Sequence, residues 1–547
     1  MSVYQNFCEE VFDDNGRPVR LTVRPPEDFN FGYDVVDEIA RTEPDKKALV
    51  WCNTEGAEKT LTFREIADLS NRAANVFRSH GIGRGDRVML MLKRHYEYWY
   101  VTIALHKLGA VMVPVTHMLT PEDVRHRLNS GRIKAVVSAA EGGIPEKLKE
   151  AAEGCGYPEV FFTVQADVPG FVNLTEAVRN ASDRLERVPT RATDPLAIYF
   201  TSGTSGEPKG VIHDHTYPLL HIVTAKYWQK AEEGGLHFTM AETGWAKTNW
   251  GKLYGQWLLG SAVMVYDFDN FDPKQVEHII NKYEVTTFCA PPTIFRYMVM
   301  KKVRDLKGLK HTVTAGEVLS KEVFERFREL TGITLIEGYG QTETALLLAN
   351  FDENPEKQGS LGKASPMYEL KVVDEDGREL PPGETGELVV LPGESGRVEG
   401  VFSGYFDNPA LYENVLRGGV FHTGDTARMD EDGYFWFEGR IDDVIKTGGY
   451  RVGPSEVEEV LDTHPAVAEC AVIGVDDKAR GQAIKAYVVT AEGFEADAQL
   501  KREIREYCNA RLADYKWIRT VEFAESLPKT ISGKIRRNEL KKMHKNA

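Results

Sequence analysis

The chain has 547 residues, 42% of them hydrophobic and 27% charged, which is the balance of a soluble globular protein larger than one ordinary domain. A formal charge of −16 excludes broad attraction to nucleic acid or to anionic membrane, and no apolar run reaches the length that spans a bilayer. An anionic ligand must then be held by local positive charge and oriented backbone groups.

The first residues, MSVYQNFCEEVFDDNG, are acidic and lack a basic or Arg-rich leader pattern, so the expected location is the cytoplasm. Six cysteines (Cys8, Cys52, Cys155, Cys289, Cys470 and Cys508) are scattered without a CxxC pair, which points to free buried thiols. Thr62-Phe63-Arg64-Glu65 has the pattern of a capping box opening a helix to about Ser79. A glycine-rich turn over 81–86 leads into the strand Val88–Leu92, then a helix over roughly 95–109 and a strand over Val111–Val115. Thr120-Pro121 starts another helix, with proline in its first turn. Such alternation predicts parallel sheets covered by helices.

Leu196–Phe200 reads as a buried strand, followed by Thr201-Ser202-Gly203-Thr204-Ser205-Gly206-Glu207-Pro208-Lys209-Gly210. Three glycines let the backbone close on a ligand, four hydroxyls face it, and Lys209 adds a charge, a combination that cradles polyphosphate. Gly206 is followed by Glu-Pro-Lys-Gly, so this is not the Walker loop. A Ser/Gly linker has a similar composition, but the preceding strand and the embedded Pro208-Lys209 weigh against it. Trp245–Lys252 mixes polar and aromatic residues, and its tryptophans suit either the core or a pocket wall. Val313–Glu317 and Glu337–Glu343 each end an apolar run, where parallel sheets place their ligands. There Gly316, Gly338 and Tyr339 are candidates for framing an adenine, and Glu343 is an oxygen ligand suited to Mg²⁺. Asp425, in His422-Thr423-Gly424-Asp425, is a candidate for the ribose hydroxyls. Composition shifts over Gly439–Lys446, which divides the chain into domains 1–440 and 441–547. The second has the size of a small domain and ends in a turn, Thr530–Lys534, that presents one lysine.

Seven motifs stand in this order: TSGTSGEPKG, AGE, YGQTET, TGD, GRIDD, GGYRVGP and PKTISGK. Together they resemble the adenylate-forming superfamily of acyl-CoA synthetases, firefly luciferase and peptide-synthetase adenylation domains. WGKLYGQW, TTFCAPPTI and LPKTISGKIRR make the medium-chain acyl-CoA synthetases the best match. The resemblance implies an α/β fold. Its large N-terminal domain has parallel, helix-covered sheets and a β-barrel-like part, and its small C-terminal α+β domain is mobile. The implied reaction is attack of a carboxylate on the α-phosphorus of ATP, releasing pyrophosphate, then transfer of the acyl group from AMP to coenzyme A.

By the same resemblance Lys534 bridges carboxylate and α-phosphate, Thr342 holds an α-phosphate oxygen, and Glu343 holds Mg²⁺. The loop Thr201–Lys209 together with Gly316, Glu317, Glu337, Gly338, Tyr339, Gly340, Gln341, Asp425 and Arg440 binds ATP. Asp442 matches the hinge. Gly448, Gly449 and Tyr450 match a strand lining the pantetheine tunnel, with Gly448 in place of a common serine and expected to keep the tunnel open. Arg480, Trp517, Ile518 and Arg519 match coenzyme A contacts, and Arg451 a position near the substrate. Trp250 matches the acyl wall. Gly340 stands where acetate-using relatives carry tryptophan, which implies an open pocket for a medium, branched or aromatic acid. The implied partners are small molecules, with no nucleic acid and no stable membrane insertion; a homodimer is left open. The alternatives are an aryl-acid ligase, an adenylating enzyme serving a carrier protein, and a non-catalytic nucleotide sensor.

Overall fold

The computed structural model describes residues 2–202, 208–317, 319–351, 357–394, 396–530 and 534–546. Between residues 47 and 349, short apolar strands alternate with helices and collect into two large sheets. The helix Phe63–Ser79 begins with the expected capping box: the Thr62 hydroxyl accepts the Glu65 N–H, and the Glu65 carboxylate accepts the Thr62 N–H. Thr120 and Asp123 cap Pro121–Ser130 in the same way.

One sheet orders its strands 404–405, 208–214, 195–202, 111–114, 87–91, 135–139, 160–164 and 172–173. It is parallel from Pro195–Ser202 (β1) outward, whereas Pro208–Asp214 (β2) runs antiparallel to β1 on the other side. The second sheet runs 363–364, 346–349, 335–340, 311–314, 287–290, 236–239, 262–267, 47–53 and 58–62. Helix α1 (Ala246–Lys252) lies between two of its strands in sequence. The parallel strands His311–Thr314 (β3) and Leu335–Gly340 (β4) end on one side of this sheet, and the turns after them carry the expected nucleotide residues. Where a barrel-like part was expected, strands 370–373, 385–390, Phe421–Met429 (β5) and Phe435–Arg440 (β6) form an antiparallel sheet.

Residues beyond 444 build their own sheet, ordered 450–452, 445–447, 481–490 and 467–477, with 518–523 parallel to 481–490. Helix α2 (Pro454–Asp462) covers it, and its core draws on Ile445, Val457, Leu461, Val472, Ile484 and Ile504. Among the described residues no helix is long and apolar enough to cross a membrane.

The structure corrects one reading here. Gly448 and Gly449 do not lie in a strand. They are the two central residues of a tight hairpin, since Thr447 pairs with Tyr450, and both have positive φ, 58° and 86°. A Cβ on Gly449 would meet nothing within 4 Å, and its positive φ by itself calls for glycine there. Gly449→Val is accordingly expected to destabilise the C-terminal unit by about 1–2 kcal/mol, the cost of a left-handed conformation in a side-chain-bearing residue. Urea unfolding followed at Trp517 reads that loss. An unchanged midpoint would show the turn adapting to another conformation.

Candidate active site

A cleft of ≈2300 Å³ runs between the ends of both large sheets and the C-terminal unit, and residues of six of the seven motifs line it, GGYRVGP being the exception. On the wall expected to meet the phosphates, β1 and β2 pair Thr201 with Lys209 and Ser202 with Pro208, so the two ends of the expected loop are held side by side in an antiparallel pair. Gly203, Thr204, Ser205, Gly206 and Glu207, and the side chain of Ser202, lie outside the described residues. Where β2 begins, the Lys209 ammonium donates to Glu343 Oε1 at 2.8 Å and to the Tyr405 hydroxyl oxygen at 2.9 Å. The Tyr405 hydroxyl in turn donates to Glu343 Oε1 at 2.8 Å. Burial alone would raise the Glu343 pKa, but the Lys209 charge and these hydrogen bonds hold it below the usual carboxylate value. His213, also on β2, is buried, which pushes its pKa down to about 4, so the imidazole is neutral and donates from Nε2 to the Thr342 carbonyl at 2.7 Å. Thr342 and Glu343 are thereby tied to this antiparallel pair from two sides.

The wall expected to meet the ribose is built by β5 and β6. Asp425 and Arg440 face each other in strand register, and Arg440 Nη1 donates to Asp425 Oδ1 at 2.9 Å. Gln341 Nε2 donates to Asp425 Oδ2 at 2.6 Å, and the Tyr339 hydroxyl donates to the same oxygen. Gly424 has φ 69°, and a Cβ there would stand 3.1 Å from Arg440 Nη2.

The turn after β3 holds Gly316 at φ 103°, while Glu317 Oε2 accepts from the Thr293 hydroxyl at 2.6 Å. Burial raises Glu337 to about 8, so this carboxyl is largely protonated at neutral pH. Gly338 is glycine because an indole lies against β4: a Cβ there would come within 2.6 Å of the Trp228 ring. Trp250 is the expected wall residue; it lines the cleft with its ring centroid 6.1 Å from Trp228 and 6.5 Å from His221.

Gly340 requires a correction. Its glycine does not leave open space for the acid, because a Cβ there would stand 2.5 Å from the Ala345 carbonyl oxygen. The bulged pairing of β4 with 346–349 brings that backbone close.

Lys534 and Asp442 line the cleft, but the coenzyme A residues do not. Tyr450 is exposed and stacks on Tyr515 at 4.4 Å. Arg480 accepts the Gly448 N–H on its carbonyl at 2.8 Å, away from the cleft. Trp517, Ile518 and Arg519 border a separate hollow of ≈430 Å³ with Arg505 and Asn509. The Ile518 side chain is buried in the C-terminal core, and Asn509 takes both its backbone N–H and its carbonyl. Arg451 lies on strand 450–452, and its side chain is outside what is described. Tyr405, His213 and Trp228 were missed by sequence reasoning. None stands in a recognisable motif, and only the strand pairing of Val211 with Tyr405 brings the tyrosine to Glu343.

A cleft at the carboxyl ends of parallel strands, with the β1–β2 pair on one wall and a carboxylate–guanidinium pair on the other, defines a nucleotide-using enzyme of α/β architecture. The chain belongs to the AMP-binding enzyme family. That family's sequence model matches residues 36–406, and the model of the AMP-binding enzyme C-terminal domain matches residues 456–534. Human mitochondrial acyl-coenzyme A synthetase ACSM3 is 39% identical over 531 residues, covering 94% of this chain and 90% of the relative. The human mitochondrial acyl-coenzyme A synthetase ACSM5 is 39% identical over 527 residues, with 94% and 90% covered. The anthranilate CoA ligase AuaEII, solved with anthranoyl-AMP, superposes with TM-score 0.85 at 28% identity over 95% of this chain and 98% of that one. A Brucella canis acyl-CoA synthetase superposes with TM-score 0.72 at 30% identity over 96% of each chain.

Because the space at Gly340 is filled by backbone, Gly340→Ala is expected to displace the turn carrying Glu343. It then lowers kcat/KM for propionate and octanoate together, with their ratio moving by less than the roughly tenfold that one methylene contact is worth. Kinetics with the two acids check this, and a large shift toward propionate would restore the open-pocket reading.

Proposed function

We propose that this chain activates a medium-chain, branched or aromatic carboxylic acid with ATP and passes the acyl group to coenzyme A. The observation that carries the reading is the convergence of Lys534, Lys209, Glu343 and the Asp425–Arg440 pair on one cleft. Nucleotide binding alone would not call for a lysine delivered from the far end of the chain. This weighs against a non-catalytic sensor.

In the first half-reaction a carboxylate oxygen attacks the α-phosphorus and pyrophosphate leaves with the bonding electrons. Such displacements are governed by positioning and by neutralising charge on the phosphate oxygens. Lys209 and the loop before it would take the outer phosphates, Thr342 an α-phosphate oxygen, and Lys534 the α-phosphate and the acid together. Asp425 can bond both ribose hydroxyls, since Arg440, Gln341 and Tyr339 hold its carboxylate in place. Among the described residues no cluster of three His, Cys, Asp or Glu side chains could hold a metal by itself. One ionised carboxylate, Glu343, fits Mg²⁺ carried in mainly by phosphate oxygens and water, for which the ion supplies charge neutralisation.

Domains 1–440 and 441–547 remain our proposed division. Separate hydrophobic cores on the two sides of the Ile441–Asp443 turn support it. Lys534 faces the cleft while Tyr450, Arg480, Trp517 and Arg519 face elsewhere, so this arrangement suits adenylate formation and a second one is needed for the thiol. Asp442 sits in a 3₁₀ turn, whose φ of about −50 to −70° proline shares. A cytoplasmic location and a homodimer also stay proposals. The mitochondrial names of the relatives point to another compartment. An aryl acid is favoured as the second reading by the anthranilate ligase likeness. A panel of aliphatic and aromatic acids in a coenzyme A-dependent AMP-release assay tests the whole reading.

Lys534→Ala is expected to lose pyrophosphate exchange by roughly 10²-fold or more, the usual cost of one preorganised charge, while still forming thioester from supplied acyl-adenylate. Equal loss of both half-reactions in a folded variant would overturn the two-arrangement scheme. Asp442→Pro is expected to give the opposite pattern, with exchange kept and overall turnover collapsed, because proline locks the turn seen here. Undiminished turnover would remove Asp442 as the hinge.

A further inference from the structure

Lys247 sits on α1 at the junction between the turn after β3 and the acyl wall. Its ammonium donates to the Ala315 carbonyl at 3.1 Å and lies 5.6 Å from the Trp250 ring centroid. It lines the same cleft as Lys534. Burial, chiefly, holds its pKa below the ordinary lysine value, and the Lys534 charge lowers it further. Among the described residues no carboxylate pairs with it. Glu317, whose charge reaches it, gives an oxygen to Thr293 instead. This half-buried ammonium has one carbonyl partner and three donors, so it has donors left for an acceptor that enters the cleft. A carboxylate entering between the Ala315 turn and Trp250 would supply that acceptor.

Taking the acyl-CoA ligase reading as its basis, we infer that Lys247 holds the reacting carboxyl group through both half-reactions. Lys534 rides on the C-terminal unit and has to withdraw before a thiol can enter, whereas α1 is built into the large sheet system and stays. In the first half-reaction Lys247 donates to one carboxylate oxygen and leaves the other to form the bond to the α-phosphorus as the bond to pyrophosphate breaks. In the second, the thiol has released its proton to solvent and the thiolate attacks the carbonyl carbon. The carbon–sulfur bond forms, and negative charge gathers on the carbonyl oxygen that faces Lys247. That charge then returns to expel AMP, which leaves with the electrons of the carbon–oxygen bond. A fixed cation at a developing oxyanion contributes most in a cleft shielded from water.

Lys247→Met, which keeps the length and bulk of the side chain, tests this in the full-length enzyme. The acid KM in pyrophosphate exchange is expected to rise about tenfold, and thioester formation from supplied acyl-adenylate to fall roughly 10²-fold. ATP affinity by calorimetry stays unchanged, which separates the effect from general loss of structure. Lys247→Arg, which restores the charge, recovers part of the thioester rate. Lys247→Gln keeps a neutral donor and shows the same losses in smaller measure, so it carries the test if the Met variant fails to bind ATP. An unchanged thioester rate in either neutral variant overturns the inference. If the wild type forms no adenylate from any acid, the ligase reading itself falls, an outcome distinct from a working wild type matched by its variants.

Discussion

The buried carboxylate of Glu343, held by Lys209 and Tyr405, is the contact on which the wall expected to meet the phosphates depends. It joins three segments far apart in sequence: the start of β2, the turn after β4, and the short strand Gly404–Tyr405. Removing Lys209 would leave the mostly buried Glu343 carboxylate without its counter-charge, a larger cost than the loss of a surface ion pair. His213 reinforces the same turn through the Thr342 backbone. Since its imidazole is neutral, that support does not change over the physiological pH range.

Electrostatics explain how an acidic protein can handle ATP and an acid. The overall charge is −16 and the cleft itself carries many carboxylates, so Lys209, Lys247, Lys534 and Arg440 act as local cations at particular points of its wall rather than through a net positive field. Attraction at short range inside a partly desolvated cavity outweighs screened repulsion from distant surface carboxylates. Glu337 follows the same logic from the other direction: burial keeps it mostly protonated, so it adds little negative charge where phosphates would lie.

The glycines of the site serve different constraints. Gly338 admits the Trp228 indole and Gly340 admits the Ala345 carbonyl, both through close approach to β4. Gly448 and Gly449 admit a hairpin turn through the sign of φ. A Cβ at Gly340 would point at backbone, so the wall expected to meet the acid is made by the indole and imidazole rings of Trp228, Trp250 and His221.

The sequence by itself determined the elements and the chemistry. Helical and strand periodicities, the Thr62 capping box, the Thr120-Pro121 helix start and the order of seven motifs are local or linear properties, and they predict the parallel sheets and the enzyme family correctly. The pairing of Asp425 with Arg440 was within reach because a short hairpin separates them. Contacts made across sheets were not legible. Tyr405 reaches Glu343 only because 404–405 pairs with β2, and Trp228 meets Gly338 only because one π-helical turn packs on β4. Direction was decided by the tertiary structure as well: which way a Cβ at Gly340 would point, and which face of the C-terminal unit meets the cleft. Sequence spacing specifies the identity of a side chain and its place along an element, but not what lies across from it, because that depends on how separate segments are brought together by burial of their shared core.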